Sequence, residues 1–150
     1  VVFKEASEGY EEHEPVIIQG HTDMVGASRE GYEHDFFEDP LILDEKAVEE
    51  GYIKAVGTTL GADDGIAVAY ALAILSDNSL KHPRLEVVFT ADEEVGMLGA
   101  AEFDFSLLKG KTILNLDSEE EGVLTAACAG GISLEVNFRT FILVLPVPPL

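Results

Sequence analysis

The sequence predicts an α/β domain, a mostly parallel twisted sheet flanked by helices, on three observations. Short apolar runs rich in β-branched residues recur along the chain, helical stretches lie between them, and a strand–helix–strand succession spans residues 85–116. Such runs without clean alternation suit strands covered on both faces. A βαβ unit of this kind sets its two strands parallel. At 150 residues, 47% of them hydrophobic, the chain is long enough for one domain with a real core and too short for two ordinary ones.

Taken in order, Val1-Val2-Phe3-Lys4 reads as a short strand, followed by a polar stretch over 5–14. Pro15 introduces the run Val16-Ile17-Ile18. Residues 41–56 read as a hairpin-rich excursion with Gly51 near its turn. Residues 64–76 carry Ile66, Val68, Ala69, Leu72, Ala73, Ile74 and Leu75, which are apolar around most of a helix circumference and predict a largely buried helix. Leu85-Glu86-Val87-Val88-Phe89 is the next strand. An amphipathic helix is expected over 97–108, ended by the basic, glycine-containing Lys109-Gly110-Lys111. Thr112-Ile113-Leu114-Asn115-Leu116 is a third apolar strand, and 122–125 and 133–138 read as two more around the Gly130-Gly131 break.

The net charge of −20 argues against nucleic acid or an anionic membrane as partner, since both would be repelled. No apolar run reaches transmembrane length. The single Cys128 rules out an internal disulfide framework and fits a reducing cytoplasm; it reads as a small buried hydrophobe. The opening Val1 and the tail Leu145-Pro146-Val147-Pro148-Pro149-Leu150 read as ends that are cut or altered.

Chemistry collects where the three central strands end. The first runs into Gly20-His21-Thr22-Asp23, the second into Thr90-Ala91-Asp92-Glu93-Glu94, the third into Asp117-Ser118. In open α/β sheets the ligand crevice lies beyond the carboxyl ends of the strands. Gly61-Ala62-Asp63-Asp64-Gly65, just before the predicted helix, would meet the same rim. Carboxylates crowded together repel one another and are costly to desolvate, and binding cations relieves both. One imidazole among carboxylates suits Zn²⁺, with Mn²⁺ or Co²⁺ as alternatives, and no calcium loop of EF-hand spacing is present. His13, His34 and His82 lack such surroundings and read as solvated, as does the run Glu119-Glu120-Glu121.

The strings Gln19-Gly20-His21-Thr22-Asp23-Met24-Val25, Gly57-Thr58-Thr59-Leu60-Gly61-Ala62-Asp63-Asp64-Gly65 and Phe89-Thr90-Ala91-Asp92-Glu93-Glu94-Val95-Gly96-Met97 are similar to the metal motifs of the dinuclear zinc aminopeptidase and carboxypeptidase superfamily. The second string lacks the lysine that most branches place after the two acids, and so resembles the aminoacyl-histidine dipeptidase branch (the PepD type). Asn115-Leu116-Asp117-Ser118-Glu119-Glu120 continues the match in order, and four ordered motifs are far more specific than one.

The resemblance implies a zinc-peptidase catalytic domain with His21 and Asp117 as ligands of one metal and Glu94 of the second. Asp63 would bridge the two, Asp23 would orient His21, and Glu93 would be the general base. Asp64 is left as support for Asp63. Implied too are two Zn²⁺ per full-length subunit, small peptide substrates such as the Xaa-His dipeptide carnosine, and a homodimer. A related amidohydrolase or deacylase, or a non-catalytic metal-binding fragment, is the alternative. The family's last His ligand lies far downstream and its inserted lid and dimerisation domain is absent here. Residues 1–138 are therefore expected to form a partial catalytic domain, weakly active or inactive alone, and 139–150 a divergent or truncated tail.

Overall fold

The computed structural model describes residues 1–118 and 122–127. The chain divides into two units, Val1–Glu119 and Glu120–Leu150. The first holds a four-stranded sheet in the order β1-β3-β2-β4, built from β1 (Val2–Lys4), β2 (Val16–His21), β3 (Leu85–Thr90) and β4 (Thr112–Asn115). β2 pairs in parallel with β3 on one side and β4 on the other, while β1 is an antiparallel edge on β3. The strands on either side of the 85–116 crossover thus run the same way, with β2 inserted between them. The predicted mostly parallel α/β architecture is the observed one.

β2 and β3 are buried along most of their length, as their unbroken apolar runs require. β4 differs: Ile113 and Leu114 are half exposed, so this strand is not covered on both faces among the described residues.

α2 (Ala62–Ser76) packs on the sheet through its small residues. Ala67 and Ala71 lie one turn apart and are fully buried, and Ala71 joins Ile18 and Val87 in the core, flanked by Ile74, Leu75, Phe89 and Leu116. The expectation of a largely buried helix is corrected, since Ile66, Tyr70 and Leu72 on its other side are exposed. An all-round apolar pattern states what a helix could bury, whereas here one sheet covers one face. The last turn of α2 carries no basic residue of its own; Lys4 Nζ donates to the Ile74 carbonyl (3.0 Å) and the Asp77 carbonyl (2.8 Å). A cation from β1 thereby satisfies orphan carbonyls at the negative end of the helix.

Four further expectations change. The single helix over 97–108 is instead one turn, α3 (Leu98–Ala101), and a separate 3₁₀ turn, Phe105–Leu107. Asp104 divides them by accepting from the Ser106 amide (3.0 Å), a side-chain cap that starts a new turn. The 41–56 excursion is closed by one bridge, Leu43 to Ala55, and holds a short helix, α1 (Glu45–Glu49). Asp44 caps α1 by accepting from the Lys46 and Ala47 amides. In the second unit, residues 122–127 form a turn at Gly122 and no strand, and they are exposed. The strand expected over 133–138, the Gly130-Gly131 break, Cys128, the run 119–121 and the 139–150 tail lie outside the described residues. His82 is buried rather than solvated, its Nδ1 2.8 Å from the Pro83 carbonyl oxygen.

Candidate metal centre

Parallel strands bring their carboxyl ends to one rim, and His21, the last residue of β2, stands there next to Thr90, the last of β3. The imidazole is 1% exposed. Its Nδ1 lies 2.9 Å from the Asp23 main-chain oxygen and 3.5 Å from Asp23 Oδ1. With the proton on Nδ1 donated to that carbonyl, Nε2 keeps its lone pair, the tautomer a metal ligand needs. Nε2 faces Asp63 Oδ1 at 3.2 Å and Asp117 Oδ2 at 3.8 Å.

Asp23 has a second task. Its Oδ1 accepts from the Glu93 amide and its Oδ2 from the Glu94 amide, both at 3.1 Å. The chain reaches that geometry because Asp92 takes the left-handed conformation (φ 56°), which aspartate tolerates better than most residues. The two main-chain bonds hold the Asp23 carboxyl below its ordinary range, outweighing the opposing desolvation. Sequence reading assigned Asp23 only the orientation of His21; the structure adds the positioning of the Glu93-Glu94 turn.

Asp63 and Asp64, joined by a cis peptide bond, open α2 after Gly61. Asp64 is 1% exposed; its Oδ2 accepts from the His21 amide (3.1 Å) and its Oδ1 has no partner. Asp117 follows β4 and is oriented by Asn115, whose Oδ1 accepts from the Asp117 amide (3.1 Å) while its Nδ2 donates to Gln19 Oε1 (2.5 Å).

Burial raises the carboxyls of Asp64 and Asp117, and the neighbouring acids Asp63 and Asp64 push Asp117 further. Burial alone would lower His21, but the Asp23 carbonyl and the carboxylates of Asp63, Asp117 and Asp64 raise it instead. No lysine or arginine pairs with these acids among the described residues, so the cluster carries an uncompensated negative charge.

Two triads place one ligand atom from each member within 4.8 Å of the others: His21, Asp63 and Glu94, and His21, Asp64 and Asp117. The residues fit divalent metal: nitrogen and carboxylate donors converge, and a buried Asp64 oxygen lacks any hydrogen-bond donor. All six sequence-predicted site residues come together on this rim. Asn115 and Gln19 carry no role in the sequence reading, and Asp64, read there only as support for Asp63, proves to bind the His21 amide. A depression of about 700 Å³ lined by Glu33, His34, Phe36 and Phe37 shares no residue with the cluster.

The sequence profile of peptidase family M20/M25/M40 matches residues 17–135, most of the chain and all six site residues. The chain belongs to this family. It is 42% identical over 139 residues to the cytosol non-specific dipeptidase of Escherichia coli K12, covering 93% of this chain and 28% of that protein. Peptidase T of Salmonella arizonae is 41% identical over 70 residues, 45% of this chain and 17% of the relative. Among solved structures, aminoacylhistidine dipeptidase from Vibrio alginolyticus matches with a TM-score of 0.73 and 43% identity, over 80% of this chain and 24% of that one. Aminopeptidase PepT from Bacillus cereus matches with a TM-score of 0.57 and 26% identity, over 79% and 29% of the respective chains. This M20-family chain thus spans about a quarter of the length of the relatives that match most of it. Among its described residues no helix is long and apolar enough to cross a membrane.

Because His21 belongs to both triads, His21→Ala should weaken metal binding by this M20-family chain. A four-ligand zinc site binds with about 10–16 kcal/mol, so one ligand is worth about 3 kcal/mol, or roughly a hundredfold. Chelator competition for Zn²⁺, with circular dichroism as the fold control, checks this. An unchanged affinity would remove His21 from the centre.

Proposed function

We propose that this chain carries the metal centre of a dinuclear zinc dipeptidase acting on unblocked dipeptides of the Xaa-His type. The observation that carries the reading is the single buried imidazole whose Nε2 faces the carboxylates of Asp63 and Asp117, with the Glu93-Glu94 turn pinned beside it by Asp23. The names of the similar proteins, a cytosol non-specific dipeptidase and an aminoacylhistidine dipeptidase, support dipeptides as the substrate class, and the second is in keeping with the Xaa-His type. Residues 1–138 are then part of the catalytic domain and 139–150 a divergent tail, in a cytoplasmic enzyme whose full-length form is a homodimer.

In this reading His21, Asp63, Glu94 and Asp117 would hold two Zn²⁺ ions, Asp63 contributing to both. The bound ions supply Lewis acidity, lowering the pKa of a water and polarising the scissile carbonyl. Glu93 is half-buried, and its charge is near enough to contribute to raising Asp117. It accepts the proton of the attacking water and passes it to the leaving amine. Asp23 does no proton chemistry; its carboxylate oxygens hold the two amides that aim Glu93 and Glu94.

The test is to load the chain with Zn²⁺ and measure metal per chain alongside hydrolysis of carnosine and a small Xaa-His panel. Two metals with turnover support the whole reading. Metal without turnover keeps the centre and rejects catalysis by this stretch alone, and turnover of acylated amino acids instead points to a deacylase. A folded chain that takes up no metal sinks the site.

A further inference from the structure

The ligands His21 and Asp63 sit on different elements, and something must fix their separation. The β2–β4 ladder ends where the Leu116 amide donates to the Gln19 carbonyl (3.2 Å). Residues of a strand alternate between neighbours, so the next amide of β2 on that side belongs to His21. β4 has run out at this point, and the Asp64 carboxylate supplies the acceptor instead, at 3.1 Å and fully buried. Room for it exists only because residue 20 has no side chain. A Cβ there would lie 2.6 Å from Asp64 Oδ2 and 2.7 Å from the Ala67 methyl.

We propose that Asp64 is the positioning residue of the centre: by accepting the His21 amide across the gap left by Gly20, it sets where the imidazole stands relative to Asp63 and thereby the affinity for a divalent cation. The inference goes beyond ligand assignment, because it gives Asp64 work on the main chain of one ligand while it is covalently joined to another. Its link to metal affinity rests on the metal-centre reading above.

Three variants of the full chain test it: Asp64→Ala, Asp64→Asn and Gly20→Ala. Each is read by Zn²⁺ affinity in chelator competition, by the absorption spectrum with Co²⁺, and, without metal, by hydrogen exchange of the His21 amide. Partners that orient a metal ligand are typically worth 10–100-fold in affinity. Asp64→Ala should therefore weaken Zn²⁺ about 10–100-fold, alter the Co²⁺ spectrum and expose the His21 amide to exchange. Asp64→Asn retains a carbonyl acceptor of the same shape and should restore all three readouts, a rescue that a general loss of packing would not show. Gly20→Ala, which displaces the carboxylate with Asp64 still present, should follow Asp64→Ala.

A folded Asp64→Ala with wild-type affinity overturns the proposal, as does an asparagine variant as weak as alanine, which would make the charge rather than the hydrogen bond the active feature. If the wild-type chain binds no Zn²⁺, the centre itself fails and the link to affinity with it. The exchange readout still reports separately on the His21–Asp64 bond, and equal protection in wild type and Asp64→Ala rejects that bond.

Discussion

On the proposed function, Glu93→Ala is expected to lower dipeptide turnover by the metal-loaded full-length enzyme by about 10²–10⁴-fold while leaving metal stoichiometry unchanged. That range corresponds to roughly 3–5 kcal/mol of transition-state stabilisation. The separation of the two readouts follows from geometry. The bonds that fix this turn come from the main chain, the Glu93 and Glu94 amides to Asp23, and the Glu93 carbonyl accepting from the Gly96 and Met97 amides at 3.0 and 2.9 Å. None of them involves the Glu93 side chain, so its removal leaves Glu94 in place. Glu93→Gln keeps the shape and loses only the proton acceptor, and it should match alanine in turnover. Asp23→Ala is the contrasting variant: it releases both amides at once and should lower metal affinity and turnover together. Parallel titration of metal and steady-state kinetics on the three variants decides the matter. Equal metal loss in Glu93→Ala and Asp23→Ala would make Glu93 a ligand and remove it as the base.

The legible parts of this molecule are those governed by local pattern. Val16-Ile17-Ile18 and Leu85-Glu86-Val87-Val88-Phe89 read as buried strands because β-branched runs have few other uses in a short α/β chain, and both are strands. The convergence of His21, Asp63, Glu93, Glu94 and Asp117 was legible too, since parallel strands must deliver their ends to one rim. What failed depended on contacts between distant residues. The helix expected over 97–108 stops after one turn, and its Gly99 amide is bound to the Ala91 carbonyl at 3.1 Å, outside any helical pattern. The burial of α2 depends on how many layers cover it, which helical periodicity does not encode. The bond from the His21 amide to Asp64 was not legible because its partners lie 43 residues apart, at a position chosen by where β4 ends.

Glu86 is the largest such omission, and Glu86→Ala is expected to destabilise the fold by about 3–5 kcal/mol, the usual cost of breaking a buried ion pair from one side. Glu86 reads in sequence as one polar residue in an apolar strand, yet its side chain is completely buried. Its Oε1 accepts from Arg84 Nε at 3.2 Å, and its Oε2 accepts from the Lys109 and Gly110 amides at 2.8 and 3.0 Å. Those amides lie in the segment read as a helix stop; in fact they are tied to the centre of the sheet just before β4 begins. Gly110 itself lies so close to Pro15 that a Cβ would meet its carbonyl oxygen at 2.7 Å. Alanine at 86 would leave two amides without their acceptor and Arg84 held only by the exposed Glu5 and the Phe3 ring. Against a typical total of 5–15 kcal/mol, that loss would unfold a marginal domain near body temperature. Desolvation raises the Glu86 carboxyl, but the two amides and Arg84 outweigh it and leave the group below its ordinary value. A folded-state pKa below the unfolded value means that the unfolded chain binds more protons as the pH falls. The contribution of Glu86 is therefore fully present above about pH 4.3, the ordinary glutamate value, and is lost as the pH falls through the lower folded value. Denaturant unfolding at pH 7 and at successively lower pH should show the gap between wild type and Glu86→Ala narrowing below that point. A gap that stays constant to acid pH, or is absent at pH 7, would show that the Lys109-Gly110 turn is held by something other than the Glu86 carboxylate.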